Sequence, residues 1–420
     1  MYKYIALLIG SGAVAQHVPI VANEGILTIS SQTEVSLLFK LENKKDAAVS
    51  NDGSVYYYSD FHNDGLYTFN HKKKTSYAVF QPYQGMVKSH KITGTAPSYF
   101  FDVLFNNESL VDGFYLKNDM SIAGTANFTA GIVQVDSLSG ALVFEKQAKH
   151  INTSDKSHVN GEVEKMEQHK DAFKFPIGNG IYFRPAYISA PNDIKDAFLS
   201  QYHLENPIVS HPYQHSETEL IAVINDKEYW TVERAADGVN NIILTLSWNE
   251  QTTPKSILTE ENGVLDLHIV RWDKSQKKWI DEGGIVNKEL KTVTTPTIVR
   301  DYGVFTLARI KTMVKNHIEI YNAVATNSDK GNDFFRIEHI NNFPNNSVEI
   351  YNRWGVKVYG TQNYNSNGNV FRGISEGRGT FNKSDKLPSG TYYYIVNYEY
   401  DDGTGPRMIK KAGYLHLENN

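Results

Sequence analysis

The 420-residue chain contains no cysteine. Disulfides and thiolate metal sites are therefore excluded, and stability has to come from core burial, for which this length suffices in two or three domains. Strong charge of either sign is also missing: the formal charge is -5 and the pI near 6.3. The one basic run, Lys72-Lys73-Lys74, reads as a solvated loop, so no nucleic-acid partner is expected. No stretch approaches the roughly 20 apolar residues of a membrane-spanning helix, and the mature chain is expected to be soluble. The nucleophile motif Gly-x-Ser-x-Gly is absent after the first residues, as is a Gly-rich phosphate loop ending in Lys-Ser/Thr.

The remaining routes to catalysis are thin. His211 and His215, with His203 upstream and Glu217 and Glu219 nearby, form the one histidine cluster. Two imidazoles four apart share a metal only on one helical face, and Pro207 and Pro212 argue against a helix there. The carboxylate pairs Asp281-Glu282 and Asp401-Asp402 sit in turn-like sequence. The expectation is a protein that is not an enzyme and needs no cofactor. A secreted glycan hydrolase, whose two acids could come from distant strands, is the third reading.

The first residues have the form of a secretory signal. Met1-Tyr2-Lys3 is a short positive start, Tyr4 to Gly12 is apolar and small, and Ala13-Val14-Ala15 is a small-x-small cleavage site. Residues 1–15 are read as a signal peptide, with Ala13 and Ala15 at the cleavage site and Gln16 as the new N-terminus.

What the chain has in quantity is turns and aromatics: 30 Gly, 26 Tyr and 20 Phe. These favour pleated strands broken by tight corners and predict an all-β fold. In residues 16–169, Asn51-Asp52-Gly53 and Asn63-Asp64-Gly65 recur twelve residues apart, and Gly94-Thr95-Ala96 and Gly124-Thr125-Ala126 thirty apart. Such spacing suits hairpins or the coils of an irregular β-solenoid. The domain is read as a solenoid or a meander. Asp136-Ser137-Leu138 fits a short acidic-hydroxyl-apolar O-glycosylation pattern, which makes Ser137 a candidate acceptor.

Residues 170–316 have a different texture. Phe173 to Gly180 and Tyr182-Phe183-Arg184-Pro185 resemble a block of secreted bacterial surface proteins. The segments around Trp230, Trp248, Trp272 and Trp279 suit strands of a β-sandwich. Trp248 and Trp272 are expected in its core. Trp279, between Lys278 and Asp281, is expected outside, where a glycan could stack on it. A glycan-binding adhesin module with surface glycans as partners is therefore the alternative function.

Residues 317–420 carry three blocks in order. Ser347 to Gly355 alternates as a half-buried strand up to a turn at Asn352, Arg353, Trp354 and Gly355. Leu387-Pro388-Ser389-Gly390 is a second turn, feeding the β-rich run from Thr391 and Tyr392 to Tyr400. Lys411 to Leu417, with Gly413 and Tyr414, supplies a last strand. Short strands with Gly, Pro and Asn punctuation predict a small immunoglobulin-like sandwich.

These blocks closely resemble the type B C-terminal sorting domain of the Bacteroidota type IX secretion system, also called the gliding-motility-associated C-terminal domain. Two departures are visible. A loop that is usually Pro-Asn-Gly-Asp-Gly-like reads Thr326 to Asp333 with Lys330 inside it, and Phe371-Arg372-Gly373 stands where relatives have Trp-Asp-Gly. The resemblance implies export, recognition by the type IX secretion machinery, and a SprF-like outer-membrane β-barrel protein as partner at the cell surface. The residues it singles out are Asn352, Arg353, Trp354, Gly355, Leu387, Pro388, Gly390, Thr391, Tyr392, Lys411, Gly413 and Tyr414. Trp354 and Tyr392 admit a second role, filling the domain core.

Overall fold

In the computed structural model the described residues are 19–84, 88–108, 111–136, 138–167, 170–191, 195–213, 220–235, 241–259, 265–311, 318–326, 332–365, 368–375, 385–401 and 406–419. The expected signal sequence with Ala13 and Ala15, Ser137, and His215 with Glu217 and Glu219 lie outside them. The fold is almost entirely β. It forms two compact units: one runs through Tyr187 and adds Pro191–Leu204 and Trp230–Asn240, and the other takes Ile188–Ala190, Glu205–Tyr229 and Asn241–Asn420.

The first unit is a β-solenoid of about seven turns, which decides between the two readings of residues 16–169. Each of the first six coils gives one short strand to each of three faces. Ile20–Asn23, Ile26–Ile29 and Glu34–Leu37 make the first coil, and Lys40–Asn43, Ala48–Asn51 and Ser54–Tyr57 the second. Along every face, successive coils pair in parallel. The alternation of each strand puts two side chains inside: Leu41 and Asn43, Val49 and Asn51, Val55 and Tyr57 are buried in the second coil.

Two ladders hold the coils in register. On the third face Tyr57, Phe80, Phe105 and Phe128 stack in a column, with centroid spacings of 4.8, 6.0 and 5.3 Å. Aromatic pairs of this kind contribute about 0.5–1.5 kcal/mol each beyond the area they bury. At the corner between the first two faces, Asn23 Nδ2 donates to Asn43 Oδ1 at 2.8 Å and Asn43 Nδ2 to Asn63 Oδ1 at 2.7 Å. Asn63 Nδ2 then reaches Ser98 Oγ at 3.0 Å, and that hydroxyl donates to Asn118 Oδ1 at 3.0 Å. Buried amides satisfied in this way fix the stacking distance of the coils.

The recurring Asn-Asp-Gly triplets are solenoid corners, and the two sit at different corners. A β-carbon at Gly53 would lie 2.4 Å from the Thr33 carbonyl oxygen, and one at Gly65 would lie 2.3 Å from that of Ala47. The preceding coil passes too close for any larger residue.

The far end of the unit is closed by antiparallel strands. Phe198–His203 pairs with Val163–Lys165, and Tyr182–Phe183 with Ile177–Asn179. Here Lys165 is buried, and its ammonium donates to the carbonyls of Glu145, Lys146 and Ala148 at 2.6, 3.1 and 3.0 Å. Burial lowers its pKa to about 8.

The second unit contains the sandwich strands and the C-terminal sheet. Leu265–Asp273 pairs with Lys278–Gly283 on one side and Gly303–Lys311 on the other. Leu244–Ser247, Thr292–Thr294 and Ile285–Asn287 form a smaller antiparallel sheet. The C-terminal sheet has the order Ala323–Ala325, Pro406–Glu418, Gly390–Asp401, Asn346–Tyr351, Lys357–Gln362. Only its first pairing is parallel. Tyr364, Phe371, Tyr394, Tyr398, Leu415 and Leu417 are among its core residues.

The tryptophans correct the sequence reading. Trp279 is 6 % exposed, and it faces Trp272 across the hairpin at 5.6 Å with the His211 backbone oxygen accepting from its Nε1. The charged neighbours that suggested exposure, Lys278 and Asp281, flank a strand residue whose cross-strand partner is itself an indole. Trp272 is buried as expected, while Trp248 is half-buried.

Candidate functional site

The three C-terminal blocks meet at one end of the C-terminal sheet. Tyr351 is registered opposite Tyr393, Tyr393 opposite Tyr414, and Thr391 opposite His416. This places the Asn352–Gly355 turn, the Leu387–Gly390 turn and the last strand side by side, although they are far apart in sequence. Lys411 lies farther along, opposite Val396.

Asn352 builds the first turn. Its buried Oδ1 accepts from the backbone N–H groups of Trp354 and Val356, both at 3.0 Å, and its backbone oxygen accepts from Gly355 N at 3.0 Å. Gly355 takes φ +75°, and a β-carbon there would sit 3.0 Å from Ile243 Cδ1. The positive φ favours glycine, and a larger residue would also press on the end of the Ile243 side chain. What it presents is Arg353 and Trp354, both exposed, with the guanidinium 4.3 Å over the indole ring. Trp354 is 50 % exposed, so of its two expected roles the core-filling one is excluded. Tyr392 does the reverse: it is buried, and its hydroxyl donates to the Pro388 carbonyl at 2.8 Å.

The second turn is held by a residue that sequence reading missed. Asn419 donates through Nδ2 to the carbonyls of Leu387 at 2.7 Å and Gly373 at 2.9 Å, and its backbone N–H donates to Ser389 Oγ at 2.8 Å. Thr326 Oγ1 donates to its Oδ1 at 2.5 Å. A polar residue after the final strand carries no pattern signal; only the fold brings it to the turn. Leu387 is buried beneath the turn, while Pro388 and Thr391 are exposed. Gly390, at φ +154°, opens the strand and pairs with Leu417.

On the last strand the burial alternates. Gly413 is buried under the Tyr394 ring, and Tyr414 is 50 % exposed beside Tyr393. Lys411 is half-buried, and burial lowers its pKa. The named set thus divides. Asn352, Gly355, Leu387, Tyr392 and Gly413 shape the end of the sheet, and Arg353, Trp354, Pro388, Thr391 and Tyr414 form its accessible surface. One cation, an indole, a phenol, a threonine hydroxyl and a proline edge suit contact with a protein rather than chemistry on a small molecule.

Of the carboxylate pairs weighed for catalysis, Asp281-Glu282 is engaged in ion pairs, and Asp402 of the other lies outside the described residues. Asp281 Oδ1 is 2.8 Å from His268 Nδ1, and Glu282 Oε1 accepts from Arg271 Nε at 2.7 Å. Burial works to raise both carboxyls, but the His268 hydrogen bond leaves Asp281 below its ordinary value, whereas Glu282 stays above. His211 lies edge-on to Trp272 and Trp279 at 5.4 and 6.2 Å. Among the described residues no group of three or more His, Asp or Glu could hold a metal ion. Among them too, no helix is long and apolar enough to cross a membrane.

No curated protein and no solved structure matches the chain. One family model does, the CHU_C Type IX secretion signal domain, over residues 305–417. The match begins inside strand Gly303–Lys311 and spans all three blocks. The C-terminal part of this chain is therefore a type IX sorting domain, the mark of an exported protein destined for the cell surface.

Proposed function

We propose that the chain is a non-enzymatic surface protein whose C-terminal sheet end is read by an outer-membrane β-barrel of the SprF kind. The observation that carries this is the convergence of Arg353, Trp354, Pro388, Thr391 and Tyr414 on one accessible end of the sorting domain. The rest of the chain is the displayed cargo: a stiff solenoid cross-braced by aromatic and asparagine ladders, in keeping with presentation outside the cell. Cleavage after Ala15 would precede transfer across the outer membrane.

The test is capture of outer-membrane proteins by the intact chain and by a chain lacking Ser347–Asn420. A β-barrel protein retained only by the intact chain supports the reading. Equal capture by both chains would move the binding surface into the cargo. The non-enzyme part fails if the full chain hydrolyses a polysaccharide and one Asp or Glu substitution abolishes turnover. Of the four tryptophans weighed for the glycan-binding alternative, Trp230, Trp272 and Trp279 are buried and offer no ring face for a sugar to stack on, and Trp248 is half-buried.

A further inference from the structure

Strand Lys278–Gly283 is the last of its sheet among the described residues, with Leu265–Asp273 on one side only. Beside it lies a cleft of about 830 Å³ whose lining includes Lys278, Trp279, Ile280 and Asp281 in succession. Neighbouring residues of a strand point to opposite faces. Side chains from both faces of this strand line the cleft, so it reaches around the strand's outer edge, and Trp272 and Ile221 in the lining carry it onto the face that bears Trp279.

The rest of the lining has two chemistries. Tyr213, Leu220 and Ile221 give an apolar wall, with Leu220 46 % exposed. Lys274, Lys277 and Lys278 ring it with positive charge, and all three are exposed. The one carboxylate among the described lining residues, Asp281, pairs with His268. In a chain of net charge -5 this is a local reversal of sign. The base is fixed by the Trp272–Trp279 pair and the bond from Trp279 to the His211 carbonyl.

We infer that this cleft receives an extended acidic peptide segment of a partner protein, added to the sheet as a further strand. The open edge supplies main-chain hydrogen bonds, alternate side chains of the segment enter the apolar wall, and its carboxylates meet the lysines. A sugar chain fits less well, because the indoles of Trp272 and Trp279 are 8 and 6 % exposed and give it no platform. The inference does not depend on how the chain is exported.

The experiment uses the full chain and a fluorescent peptide alternating glutamate and valine, followed by anisotropy. Parallel arms use a lysine-valine peptide, the acidic peptide N-methylated at alternate amides, and polygalacturonate as competitor. The expected result is saturable binding of the acidic peptide alone, loss on N-methylation, and weakening by about tenfold in the Lys277→Glu/Lys278→Glu chain. Both lysines are exposed, so an unchanged melting temperature will show that this variant is folded. Absence of saturation, indifference to the charge reversal or to N-methylation, or displacement by polygalacturonate would each overturn the inference.

Discussion

The ring of Tyr394 occupies the space that a side chain at position 413 would need: a β-carbon on Gly413 would lie 2.4 Å from the Tyr394 hydroxyl oxygen. The two residues are directly paired on adjacent strands at the centre of the sorting sheet. Gly413→Val is expected to force the ring out and break the sheet, with loss of surface display. The overpacking cost is about 1–3 kcal/mol. Proteolysis of the purified variant should clip the C-terminal domain and leave the solenoid intact.

Trp354 and Tyr392 should separate recognition from folding. Trp354→Ala, with Arg353→Ala, removes exposed groups and should shift stability by less than about 0.5 kcal/mol while lowering surface display. Tyr392→Ala opens the core and should cost about 3–5 kcal/mol. Denaturant titration beside a surface-labelling assay checks both. Normal display of the Trp354/Arg353 variant would remove that turn from the recognition surface.

Asn43 stands in the middle of the asparagine ladder, donating to Asn63 Oδ1 and to the Leu66 carbonyl. Asn43→Ala leaves those acceptors, and the Asn23 donor, without their partner. The expected loss is about 1–3 kcal/mol, read as a lower urea midpoint of the solenoid transition. Asn43→Asp should be worse, because the carboxylate cannot donate.

The solenoid should weaken in acid. His90 and His150 are buried, and desolvation lowers the pKa of each from 6.5 to about 4. Above pH 6.5 both are neutral whether folded or not, and neither affects stability. Below it the unfolded chain takes up protons that the folded chain refuses, so stability falls as pH drops from about 6.5 towards 4. The full effect is on the order of 3 kcal/mol per histidine. Melting curves across that interval test it, and replacing His150 with Gln should flatten the decline.

Strand character, turns and the three terminal blocks were legible because each depends on local alternation and on Gly, Pro and Asn at corners. The solenoid period was not. Its coils vary in length: Leu41 lies beside Phe61, but Phe61 lies beside Ile92. The twelve-residue spacing of Asn51 and Asn63 joins two corners of different kinds, and the asparagines that stack are Asn23, Asn43 and Asn63. Trp279 was misplaced because its burial is a cross-strand matter, decided by Trp272 and the loop at His211. Asn419 was invisible for a similar reason, as its partners at Leu387 and Gly373 are distant in sequence.

The most direct measurement is surface display of the chain with and without Ser347–Asn420, scored by protease shaving of intact cells. The account predicts that the complete chain is cleaved from outside and that the truncated one is retained in the periplasm with its solenoid folded. Equal display of the truncated chain would contradict the assignment of export to the C-terminal domain.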